Sequence, residues 1–174
     1  MGVVNWRPSI FIEAMPLTII LKRRVPGLSE RALERFAARA CRAVGIEAAV
    51  TVLITGNREM RALNSHFLGK NHATDVLSFP APAFTNGFAG DIAISLDIAA
   101  RNARLMRHSV SDEIRVLTLH GILHLAGYDH ESDRGEMAQI ELTLRKTLGL
   151  PAALIERASG KRQSRSGPLE RSRV

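Results

Sequence analysis

The sequence predicts a single α+β domain in which a mixed sheet of about four strands packs against about five helices. Three observations carry that expectation. Short β-branched apolar runs are interspersed, in no repeating order, with stretches whose apolar residues recur at helical spacing. The chain has 174 residues, 45% hydrophobic and 24% charged, which suits one globular domain with a continuous core. A cluster of histidines closes one of the helical stretches, placing a metal site at the C-terminal end of a central helix.

Residues 1–16 show no periodicity and are expected to be a loosely attached extension, with the domain itself over 17–156. "LTIIL" (17–21) reads as the first strand, stopped by "KRRVPG". Ser29 is placed to cap a helix running to about Val44, with Leu33, Phe36, Ala37, Ala40, Cys41 and Val44 on its buried stripe and Gly45 after it. "AAVTVLIT" (48–55) is β-branched and nearly all apolar, as in a strand covered on both faces. Asn57 is expected to cap a second helix carrying Met60, Leu63 and Phe67. "TDVLSFP" (74–80) and "GDIAIS" (90–95) read as two more strands around the loop "APAFTNGFAG", with Asp97 as the cap of a helix over 98–107. Ser111 is expected to cap the next helix, with Asp112 and an exposed Glu113 in its first turn, where carboxylates suit the helix dipole. A last helix spans about 133–148, with Met137, Ile140, Leu144 and Leu148 inward and Gly149 and Pro151 ending it.

Charge and cysteine content narrow the setting. Residues 157–174 carry six cations and one anion, so that this basic tail holds +5 of the net +7. A solvated, disordered end is expected there, with weak nucleic-acid affinity at most. The single cysteine, Cys41, excludes a disulfide within the chain and fits a reducing, cytoplasmic compartment. On the apolar stripe of its helix it reads as a buried thiol rather than a nucleophile. The greasy run "IFIEAMPLTIIL" is broken by Glu13 and Pro16, so neither a membrane span nor a signal peptide is expected.

The chemistry concentrates in "HGILHLAGYDH" (120–130). His120 and His124 are four residues apart, a rotation of about 400° and a rise of about 6 Å on a helix, so both imidazoles lie on one face. They can converge on one ion at about 2.0–2.1 Å each. A third ligand cannot come from the same helix face. Gly127 can adopt the left-handed conformation that ends the helix and turns the chain back, bringing in His130 three residues later. Three imidazoles with an open fourth position suit a catalytic zinc ion, one per chain. His66, His72 and His108 stand singly and are expected to be structural or solvated.

The spacing matches the metzincin pattern H-E-x-x-H-x-x-G-x-x-H except at its second position, where Gly121 replaces the glutamate that serves those proteases as general base. A glycine inside a helix costs about 1 kcal/mol relative to alanine. Close packing against a neighbouring helix is the favoured reason for it, ahead of room for a bulky substrate group. A phosphodiester hydrolase has less need of that glutamate, because a metal ion can supply acidity and charge itself.

Together with "ATDVLSFP" and "GDIAIS" upstream, the motif resembles the YbeY family of bacterial zinc-dependent endoribonucleases, over about Leu53 to Leu148. The resemblance implies a hydrolase that cleaves single-stranded RNA, acting in three-prime-end maturation of small-subunit ribosomal RNA and in ribosome quality control. The ribosome or its assembly factors are the implied partners. It implies His120, His124 and His130 as zinc ligands, Thr74, Asp75 and Ser78 as the first family motif, and Gly90 and Asp91 as the second. Leu68 stands where the family commonly has an arginine, and Asn71 where it has an aspartate; Leu68 is read as a core residue. Lys70 is the cation nearest that position, though an ammonium lacks the bidentate fork of a guanidinium. Asp129, Asp91 and Glu131 are the candidate proton carriers, with Asp129 equally suited to orienting a ligand histidine. The other readings are a metzincin-like peptidase and a non-catalytic, zinc-stabilised factor that binds ribosomal RNA.

Overall fold

The computed structural model describes residues 17–82, 87–130 and 132–151. The N-terminal extension and the basic tail lie outside them. Four strands, β1 (Leu17–Leu21), β2 (Ala49–Thr55), β3 (Val76–Pro80) and β4 (Phe88–Ser95), form one sheet in the order β1-β2-β4-β3. The first three in that order run parallel, and β3 lies antiparallel to β4 as an edge strand. Five helices, α1 (Glu30–Ala43), α2 (Asn57–Leu68), α3 (Leu96–Met106), α4 (Val110–Leu125) and α5 (Glu136–Leu148), complete the described chain. The α+β architecture with four strands and five helices is thus as the sequence predicts.

Period-two alternation in β2 and β4 divides the core between the two faces of the sheet. Val50, Val52, Ile54, Ile92 and Ile94 join the main core, which also holds α1, α4 and Met137 of α5. Ala93 and Leu77 project to the other face, where Met60 of α2 closes a smaller cluster. Helix α4 is the centre: Ile114, Val116, Leu117, Leu119, Ile122 and Leu123 are all inaccessible to solvent. A helix buried on nearly every side shows no amphipathic stripe. Cys41 is a free, buried thiol whose pKa burial pushes up to about 11, so it is a core group as expected. No helix among the described residues is long and apolar enough to cross a membrane.

Helix starts depart from the sequence reading wherever a tertiary partner intervenes. Ser29 caps α1 as expected, its Oγ accepting from the Ala32 N–H at 3.2 Å. Asn57, however, is the first helical residue of α2 rather than its cap. Its N–H donates instead to Asp97 Oδ2 at 2.9 Å, while its own Oδ1 accepts from Ser95 Oγ at 2.6 Å. Ser95, not Asp97, caps α3. Asp97 thus reaches the start of α2, and Asn57 the cap of α3, because the two helices leave the same end of adjacent parallel strands, β2 and β4. Ser109, not Ser111, caps α4, and its Oγ also pairs with Ser111. Glu113 is buried against His108 at 2.7 Å, not an exposed first-turn residue. α5 starts at Glu136, after a turn in which the Asp133 carboxylate accepts from the Gly135 and Met137 N–H groups.

Candidate metal centre

The last two turns of α4 carry His120 and His124, and the chain beyond brings His130 back to them. The turn rests on Gly127, whose φ of 91° is the left-handed conformation that disfavours a side chain. The three imidazoles pack edge to face, with ring centroids 4.8–5.2 Å apart. One ligand nitrogen from each lies within 4.8 Å of the others, so the group could hold a metal ion. The Nε2 atoms of His120 and His124 are 3.2 Å apart. Two nitrogens on a tetrahedral zinc ion with bonds of about 2.0–2.1 Å would stand about 3.3 Å apart, so the spacing fits.

Each helical histidine is held from behind. His120 is buried, and its Nδ1–H donates to Glu141 Oε2 of α5 at 3.0 Å. Arg145 Nε donates to the other oxygen, Glu141 Oε1, at 2.8 Å, and its Nη1 donates to the Pro151 carbonyl at 3.1 Å. Burial alone would raise the Glu141 pKa, but the hydrogen bond from His120 and the Arg145 guanidinium outweigh it and hold the carboxyl below its ordinary range. An ionised carboxylate only accepts, so it fixes the proton of His120 on Nδ1 and turns the Nε2 lone pair toward the other ligands. His124 hydrogen-bonds the Tyr128 backbone, while burial and the neighbouring His120 and His130 lower its pKa toward the neutral form that binds metal.

Sequence reasoning passed over Glu141 and Arg145. It placed Ile140 and Leu144 on the inner face of α5, yet both are only half-buried, whereas Met137, Glu141 and Arg145 form the fully buried stripe. The available signal was a carboxylate and a guanidinium at i, i+4 in register with Met137.

Gly121 has a packing explanation, but its partner is the strand β4 and not the neighbouring helix expected from the sequence. A Cβ there would lie 2.7 Å from Ile92 Cγ2 and 3.0 Å from its Cδ1, so α4 sits directly on β4 at this residue. Any side chain at 121 would be driven into the sheet. Gly90 plays the matching part on β4, where its φ of 143° and a virtual Cβ 2.3 Å from the Phe79 carbonyl oxygen leave no room for another residue. It follows a bulge that shifts the β2–β4 register at Ala49 and Val50.

The histidines open into a cleft of about 650 Å³. One wall is the edge strand and its approach, with Thr74, Asp75, Ser78 and Pro80. Asp75 Oδ1 accepts from the Val76 N–H at 3.0 Å, and Ser78 Oγ donates to the Gly121 carbonyl at 3.4 Å, tying the edge strand to the metal helix. Asn64, Leu68, Lys70 and His72 also line the cleft. Leu68 is not a core residue: it is 52% exposed and borders the cleft, because α2 ends there. His72 borders the cleft as well.

The three candidate proton carriers part company. Asp129 lines the cleft with Oδ1 3.9 Å from His130 Nδ1, and its Oδ2 accepts from Ser132 Oγ at 2.9 Å. Asp91 is exposed and shares its side of β4 with Ala93, away from the face that meets α4, and does not line the cleft. Glu131 lies outside the described residues.

Comparison with known proteins agrees with this geometry. The model of the family described as Endoribonuclease YbeY matches residues 20–149. A protein of Koribacter versatilis with the name Endoribonuclease YbeY is 52% identical over 141 residues, covering 81% of this chain and 91% of its own. One from Solibacter usitatus with the same name is 50% identical, covering 78% and 90%. A Thermotoga maritima protein solved in solution superposes with a TM-score of 0.53 at 27% identity, over 89% of this chain and 99% of its own.

Proposed function

The chain belongs to the YbeY family of endoribonucleases, and from that membership we propose that it is a zinc-dependent endoribonuclease that cleaves single-stranded RNA. Its substrate in this reading is small-subunit ribosomal RNA, at three-prime-end maturation and ribosome quality control in the cytoplasm. The observation that carries the chemistry is the pair of Nε2 atoms 3.2 Å apart, lining an open cleft with His130 beside them. A zinc ion held by His120, His124 and His130 would supply Lewis acidity and acidify water near neutral pH.

The chain's own residues do the rest. Lys70 offers an ammonium to a phosphate entering the cleft, and Thr74, Asp75 and Ser78 line the edge-strand wall along which the RNA would run. Asp129, alone of the described candidate carboxylates in lining the cleft, is the group assigned to carry the proton or to orient His130. Glu141 keeps the His120 proton on Nδ1. Nothing at position 121 can act as a peptidase base, since Ile92 occupies the space beside it.

The purified protein is expected to cut an unstructured ribosomal RNA fragment, to stop on chelation and to recover with added zinc. His124→Ala should lose both bound zinc and cleavage. Full cleavage by metal-free His124→Ala protein would overturn the mechanism, and RNA binding without cleavage by the zinc-loaded parent would favour a non-catalytic assembly factor. Product ends with or without a cyclic phosphate distinguish attack by the RNA 2′-hydroxyl from attack by water.

A further inference from the structure

Helix α2 ends on an exposed aromatic ring beside the metal cleft. Among the described residues, Phe67 is the one aromatic side chain in the set of large exposed apolar groups, at 58%, and its neighbour Leu68 follows at 52%. Phe67 points outward without being loose. Its ring packs on Phe79 of β3 with centroids 4.9 Å apart and planes at 53°, and His66 meets it edge-on at 4.7 Å. Phe79 in turn rests on the Met60, Leu77 and Ala93 cluster. The ring is therefore mounted on the core while more than half of the residue faces solvent.

Its surroundings separate this ring from an incidental surface hydrophobe, which by itself needs no explanation. The next residue, Leu68, borders the metal cleft, and Lys70 lines it too, after Gly69, whose φ of 67° turns the chain. That turn is secured: the Lys70 N–H donates to the Asn64 carbonyl at 3.2 Å, and Asn64 Nδ2 donates to the His72 carbonyl at 2.8 Å. An aromatic face, an apolar step and a cation thus follow one another along the chain, the last two lining the cleft. A protein-docking face calls for a larger contiguous apolar area than two side chains beside cationic and imidazole groups. A strand of unpaired nucleotides matches the order of chemistry, with a base on the ring and a phosphate on the ammonium.

We propose that Phe67, braced by Phe79, is a stacking platform for one unpaired nucleobase of the RNA strand whose backbone passes Lys70 into the cleft. The inference rests on the endoribonuclease reading and deepens it. A base within a duplex has no free face to offer, so the platform selects single strands, and every base has a π-face, so it does so with little sequence preference.

The test scans one abasic site along a short unstructured oligoribonucleotide and follows KM, kcat and binding for the zinc-loaded protein. Parent protein should show weakened binding when the abasic site occupies one particular position near the cut. Phe67→Ala should weaken binding of the intact strand by roughly five- to a hundred-fold and lose that position's sensitivity. Phe67→Tyr should restore both, and the fluorescence of Phe67→Trp should be quenched on RNA addition. Phe67→Ala protein that binds the intact strand as the parent does, or keeps the same abasic sensitivity, overturns the platform while leaving the nuclease reading intact. Altered self-association of Phe67→Ala protein with unaltered RNA binding overturns it in favour of a protein-docking face. A parent that neither binds nor cuts RNA defeats the underlying reading itself.

Discussion

Gly121 concentrates the difference between this site and a peptidase in one missing side chain. The glutamate of the protease pattern would need to leave α4 where Ile92 already stands, 2.7 Å from the place of a Cβ. Gly121→Ala gains about 1 kcal/mol of helix propensity but must displace a β-branched side chain in a close-packed core, at about 1–3 kcal/mol. The net expectation is a loss of up to about 2 kcal/mol in denaturant unfolding of the zinc-loaded protein. Gly121→Glu should be far worse, because it buries a carboxylate as well. A Gly121→Glu protein as stable as the parent would show that the helix can lift away from the sheet.

Between elements, the contact that matters most is α5 against α4. Glu141 reaches across a buried interface to fix one imidazole, and Arg145, one turn along the same helix, holds that carboxylate. Glu141→Gln is expected to weaken zinc binding about 10–100-fold and to cost about 3–5 kcal/mol, because Arg145 loses the carboxylate beside it. Adding Arg145→Met should recover much of the stability and none of the zinc affinity, which separates the two roles by calorimetry and metal titration. The pH dependence follows from the same pair. The folded carboxyl titrates below its ordinary value of 4.5, so its stabilisation is complete above that pH and is lost as pH falls through the folded value. Acid unfolding of the metal-free parent should therefore steepen below about pH 4.5, and that limb should flatten in the double variant. An unchanged acid limb would remove Glu141 from the account.

On the scale of the whole molecule, the open edge of the sheet, the end of α2 and the turn after α4 meet at one cleft, although they come from widely separated parts of the chain. The basic end of the chain adds a term that no local site contains. If residues 157–174 help to hold RNA, deleting their six cations should weaken binding and flatten its dependence on salt, with a slope change of up to about 0.7 per lost contact. An unchanged salt slope would make that segment a passive end.

The sequence by itself determined the fold class, the strands and the three histidines, because these depend on local spacing: period two, period 3.6, and a glycine-ended helix. It determined the buried Cys41 for the same reason, whereas the close packing expected at Gly121 falls on a strand and not on the expected helix. Tertiary structure alone decided the rest. Asn57 and Asp97 changed roles because two helices leave neighbouring strands, so that Asp97 meets the first N–H of α2 and Asn57 meets the Ser95 hydroxyl. Glu113 and Glu141 are buried because a histidine waits for each across a contact that composition cannot show. Leu68 and Phe67 came to the surface because α2 runs out at the rim of the cleft. Spacing along one element is written in the chain; which polar group meets which partner depends on how elements dock, and burying a charge is tolerable only where that docking provides the partner.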